Sequence, residues 1–195
     1  MKKTTIVFVF LFVSIYIHAQ NFSWDINFQK GNDFESVPIS QIIRVQTGEL
    51  IRFTVTSASN AYCYIILYDS QRRITVLHNK SVSARRENDF GPFEITDPPG
   101  TETIYVILSG ERQTNLERLI NELNNNPDSR QINNNLYRGI VKMQNDASKL
   151  GEPASSYIPS GGTTRGGSTN GAAPAPFITR FSGYNLYVKA ITIRH

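Results

Sequence analysis

Cys63 and His78 are the sharpest catalytic candidates in this chain, a thiol and an imidazole on neighbouring β-rich segments. A Cys–His dyad works through the thiolate, which forms in electropositive, partly exposed surroundings. Tyr62, Tyr64 and Ile65 supply the opposite setting, in which a thiol acts as a small buried hydrophobe of raised pKa. Glu94, Asp97 and Glu102 are the next candidates. A Glu94/Glu102 pair could flank a glycosidic bond, although acids around a turn are ordinarily solvated. Metal chemistry lacks its usual spacing: Cys63 is the sole cysteine, and beyond residue 20 the histidines are His78 and His195. The string GGSTN, residues 166–170, lacks the second glycine of a nucleophile elbow, and no glycine loop of phosphate-cradling type opens a helix. No cofactor is expected.

Binding chemistry has more material. Arg72, Arg73, Lys80, Arg85 and Arg86 fall on one expected hairpin end and the loop after it, where they could meet an anionic polymer such as a cell-envelope polysaccharide. The competing reading is a charged loop that keeps sheet ends soluble, with Asp69, Glu87 and Asp89 neutralising part of it. Tyr62, Tyr64, Tyr68 and Tyr105 offer an aromatic face for sugars or peptides, or else fill a core with their hydroxyls at its rim.

The compartment follows from the first residues. MKKTTIVFVFLFVSIYIHAQ carries Lys2 and Lys3, an apolar stretch from Ile6 to Ile17 and the small Ala19, which is the order of a secretory signal peptide over residues 1–19. The apolar stretch is shorter than the ~20 residues that span a bilayer, so no transmembrane segment is expected after cleavage. Removing residues 1–19 takes both lysines and lowers the net charge of +4 by two. An exported protein, periplasmic or extracellular, with so mild a balance is not expected to bind nucleic acid. With one cysteine it has no intrachain disulfide, so packing must hold the fold.

The positioning elements are mostly strands. Phe22, Trp24, Ile26 and Phe28 alternate with Asn21, Ser23, Asp25 and Asn27, and Ile51, Phe53 and Val55 alternate with polar partners, both patterns of half-buried strands. Ala61 to Asp69 is apolar on both parities, as a central strand would be. Residues 62–78 read as a hairpin, residues 79–89 as a polar loop, and Pro98, Pro99 and Gly100 as a turn into the strand Ile104 to Leu108. Thr114 and Glu117 predict a capping box for a helix carrying Leu116, Leu119, Ile120 and Leu123. A second helix is predicted over residues 130–149 on Ile132, Leu136, Ile140 and Met143.

Residues 151–176 are dominated by Gly, Ser, Thr, Ala and Pro and predict a flexible loop. Residues 177–195 read as a hairpin turning at Ser182 and Gly183 that returns to the sheet system, with a bulge near Lys189 to reconcile its two apolar parities. The expectation is therefore one domain over residues 20–195: a mainly β, antiparallel β-sandwich with a helical insertion at 112–150 and the Gly/Ser/Ala/Pro-rich disordered loop.

Thr47 to Glu49, Arg52 to Val55, Ala61 to Asp69, Ile74 to Leu77, and Pro98 to Glu102 with Ile104 to Leu108 together resemble the bacterial family called "domain of unknown function 4384". The match covers residues 40–110. This chain departs from the family pattern at Arg73, where a glycine is common, and at His78, near a common proline, so the turn type and bend there need not carry over. The resemblance implies an exported β-sandwich-like accessory module, and no catalytic residues carry over from it. The functional expectation is a non-enzymatic binding or envelope-associated module whose partner is an envelope protein or an anionic polysaccharide. The alternative is a small hydrolase using the Cys63/His78 dyad or the Glu94/Glu102 pair. A third reading makes residues 112–150 a partner-binding helical arm.

Overall fold

Alternation along the chain builds the first sheet. The computed structural model describes residues 22–96, 98–149, 154–159, 177–183 and 185–195. The expected signal peptide, Asp97 and residues 160–176 lie outside the described residues. Strand β1 (Phe22–Lys30) buries Phe22, Trp24, Ile26 and Phe28. Strand β4 (Leu50–Ser57) buries Ile51, Phe53 and Val55 against the same interior. The two are antiparallel, with Phe28 opposite Phe53 and their rings meeting edge to face at 4.9 Å. Strand β7 (Glu87–Glu94) pairs with the far edge of β4, while β10 (Phe177–Gly183) pairs with β1 and β9 (Ala154–Pro159) with β10. Short β2 (Glu35–Val37) also pairs with β1.

The second sheet runs in the order β3 (Ile43–Arg44), β11 (Leu186–Arg194), β8 (Thr101–Ser109), β5 (Ala61–Tyr68), β6 (Ile74–Val82). Its pairs are antiparallel except β3 with β11. This sheet is buried on both faces. Cys63, Ile65, Ile104, Val106, Leu108, Ile191 and Ile193 meet the apolar face of the first sheet. Tyr64, Ile66, Tyr105 and Ile107 turn the other way and meet Leu116, Ile120, Leu123, Leu136 and Ile140 of helices α1 (Thr114–Asn125) and α2 (Arg130–Lys149). The architecture is thus a β-sandwich with two helices laid over one of its sheets.

That third layer removes the need for a bulge near Lys189. The β11–β8 register is continuous from Leu186 opposite Ser109 to Arg194 opposite Thr101. Ile191 and Ile193 face the sandwich interior, whereas Leu186, Val188 and Ala190 face the helices. Both parities are apolar because both faces are covered.

The capping box does not form. Gln113 is the N-cap of α1 and makes no side-chain cap, so Thr114 already lies inside the helix. The Glu117 carboxylate is drawn elsewhere: it accepts hydrogen bonds from the Tyr64 hydroxyl at 3.0 Å and from Arg112 Nε at 2.6 Å. Tyr64 Oη in turn accepts from the Gln113 backbone N–H at 3.0 Å, which serves the helix start by a tertiary route. A β-carbon on Gly139 of α2 would lie 3.1 Å from Leu119 Cδ1, so the missing side chain permits the close approach of α2 to α1. Buried Asn133 ties α2 to the sheet edge by accepting from the Ile74 N–H at 2.8 Å and donating to the Pro127 and Ser129 carbonyls.

Three further boundaries differ from expectation. The polar segment 79–89 is largely strand, since β6 continues to Val82 and β7 begins at Glu87; both are sheet edges, where one polar face costs nothing. Within the tract 151–176, residues 154–159 form β9, where backbone pairing to β10 compensates for a composition poor in core residues. Finally, β10 and β11 are not hairpin partners. β10 joins the first sheet and β11 the second, so the chain crosses the sandwich between Gly183 and Leu186.

Candidate functional site

Cys63 and His78 fall on paired strands, one diagonal step apart, whereas Glu94 and Glu102 separate onto different sheets. Cys63 is fully buried, opposite Lys80 in the β5–β6 register, while His78 lies opposite Ile65. Burial pushes the Cys63 thiol far above its ordinary pKa, which suppresses the thiolate a dyad needs. Burial also lowers the His78 pKa; its ring packs against Phe90 at 4.2 Å, and Nε2 has no partner among the described residues. Glu94 is exposed at the end of β7 in the first sheet, whereas Glu102 is buried on β8 in the second. Glu102 instead meets His195, whose Nε2 lies 3.4 Å from Oε1. Burial raises the Glu102 carboxyl pKa, an effect His195 opposes and Asp69 reinforces. Among the described residues no three His, Cys, Asp or Glu side chains gather as a metal-ligand set.

The five cations do not form one patch. Arg72 and Arg73 occupy the β5–β6 turn, where Arg73 Nε donates to Asp69 Oδ2 at 3.0 Å and Arg72 takes a positive φ of 64°. Arg85 and Arg86 lie past the other end of β6, with the Arg85 N–H bonded to the Ser57 carbonyl. A strand of this length sets the two groups on the order of 25 Å apart. Lys80 sits between them and lines a polar cleft of about 410 Å³ with Tyr62, Arg112 and Glu117. Tyr64 and Tyr105 are core residues of the sheet–helix layer.

The fold assembles a different basic site. Lys30 at the end of β1, Arg44 on β3 and Arg194 on β11 line an open groove of about 570 Å³, together with Val37, Pro38, Gln41, Ile42 and Ile43. Arg44 and Arg194 are register partners in the parallel ladder, so both guanidinium groups leave the same stretch of sheet. Lys30 is occupied: its Nζ donates to the Arg44 carbonyl at 2.8 Å and lies 3.6 Å from Glu49 Oε1. Neither Arg44 nor Arg194 has an acidic partner within ion-pair distance among the described residues. Like charges at directly facing positions destabilise a sheet. Ile42, 53% exposed, stands beside them and is the most exposed large hydrophobic among the described residues.

Sequence reasoning missed this groove because each cation is single in its own segment. The signal was a repeated Ile-Arg pair, Ile43–Arg44 and Ile193–Arg194, and only the parallel pairing of β3 with β11 gives it meaning. No family model, no curated protein and no solved structure matches the chain. Among the described residues no helix is long and apolar enough to cross a membrane.

Proposed function

We propose that the protein is an exported, non-enzymatic binding module that associates with a component of the cell envelope, and that it does so through the Lys30–Arg44–Arg194 groove. One observation carries the reading: two neighbouring arginines, without acidic partners among the described residues, border an exposed isoleucine in an open groove. Such an arrangement costs stability in the free protein and is relieved by an anionic, partly apolar partner. The burial of Cys63 weighs against the hydrolase alternative, and the resemblance of residues 40–110 to an exported accessory family supports the module.

Co-sedimentation of the purified protein with the envelope fraction of its source cell tests the proposal. Wild type is expected to pellet with the envelope, and a folded Ile42→Ser/Arg194→Ala variant to stay in the supernatant. Equal pelleting of the two proteins overturns the groove as the binding surface. Mass spectrometry of the secreted chain, expected to begin at Gln20, tests export separately.

A further inference from the structure

Resting on that reading of the groove, we propose that its occupant is an acidic peptide segment of a partner protein. One carboxylate lies between Arg44 and Arg194, and a neighbouring aliphatic side chain rests on Ile42, Val37 and Pro38.

The charge argument is specific to two side chains. Lys30 already serves the Arg44 carbonyl and Glu49, so the groove's available positive charge is that of Arg44 and Arg194. A guanidinium presents a planar fork of donors that matches a carboxylate, and two forks at adjacent register positions can grip one anion from both sides. The apolar lining decides the class of partner. Val37, Pro38, Ile42 and Ile43 are aliphatic, and among the described residues no aromatic ring lines this groove to stack on a sugar face. Aliphatic walls next to paired arginines complement a chain in which Asp or Glu stands near Val, Leu or Ile, which favours a peptide over an acidic polysaccharide. A volume of about 570 Å³ admits a few side chains rather than a folded surface, within the usual ligand-pocket range of about 300–1,000 Å³.

The test uses the full secreted chain and fluorescence anisotropy with three probes: a labelled peptide of alternating leucine and glutamate, the same peptide with glutamine for glutamate, and labelled polygalacturonate. The glutamate peptide is expected to bind, with the glutamine peptide weaker by about tenfold or more, and binding is expected to weaken with added salt. Arg44→Ala and Arg194→Ala are each expected to weaken the glutamate peptide by about tenfold, and Ile42→Ser to weaken it while leaving the salt dependence intact. Circular dichroism of each variant confirms that the fold persists. Equal binding of the two peptides, wild-type binding by the arginine variants, or binding of polygalacturonate alone overturns the proposal. If no probe binds but the groove variant still loses envelope co-sedimentation, the peptide assignment fails while the groove stands. If co-sedimentation is also unchanged, both fail.

Discussion

Arg194 stands directly beside Arg44 in the parallel ladder of β11 and β3, and among the described residues no carboxylate lies within ion-pair distance of either. Under the proposed reading of the groove, this neighbour pair makes stability and binding pull in opposite directions. Replacing Arg194 with glutamate converts a repulsive pair into an attractive one, so Arg194→Glu is expected to raise unfolding stability by about 0.2–1 kcal/mol. The same change removes the anion grip and is expected to abolish binding of the glutamate peptide. Urea midpoints and anisotropy on one preparation check both; a variant that loses stability would contradict the repulsion argument.

Asn133 is a buried amide that satisfies an edge-strand N–H. Asn133→Ala leaves the Ile74 N–H without its acceptor at the sheet–helix boundary and is expected to cost about 1–3 kcal/mol. Chemical denaturation measures it. Hydrogen exchange should show the loss first at Ile74, and a change confined to α2 would argue that the contact is incidental.

Glu102 predicts a pH dependence with a definite sign. Its folded-state pKa is raised above the ordinary value of 4.5, so the native state holds the proton more tightly than the unfolded chain. The stability from this group is present below about pH 4.5 and is lost as pH rises through the folded-state value. Glu102→Gln keeps the shape and removes the ionisation. The variant is expected to gain stability relative to wild type between pH 4 and pH 7, read from urea midpoints at roughly those two values. A difference that stays constant, or narrows with rising pH, would show that ionisation of Glu102 is not the cause.

Cys63 is expected to react with a thiol reagent only from opened forms of the protein. The thiol is fully buried and its pKa is raised by burial, so modification of the folded protein should be slow, should speed up with sub-denaturing urea, and should rise with pH near neutrality as the thiolate fraction rises. Rapid modification of the folded protein at low pH would instead indicate an activated nucleophile and restore the hydrolase alternative.

Much of the layer structure was legible along the chain. The alternation in β1 and β4 marked their inward faces, and the two apolar parities of β5 marked a sheet covered on both sides. The apolar stripes of α1 and α2 marked two helices, read along the chain as an insertion, and only the structure lays them over this sheet. These patterns are legible because each strand or helix must bury its own apolar face, and that requirement is written in neighbouring residues. The edge strands β6, β7 and β9 were not legible as strands throughout, because an edge satisfied by backbone pairing needs no apolar periodicity.

The sequence by itself determined the two-faced strand β5, the two amphipathic helices and the wide separation of Lys30, Arg44 and Arg194 along the chain. Only the tertiary structure decided that the last strand leaves β10 for the opposite sheet and lies parallel to β3, which sets Arg194 against Arg44. The difference has one physical cause: burial of a strand's face is a local demand, whereas the choice of edge neighbour depends on backbone hydrogen bonds that every residue type but proline can make.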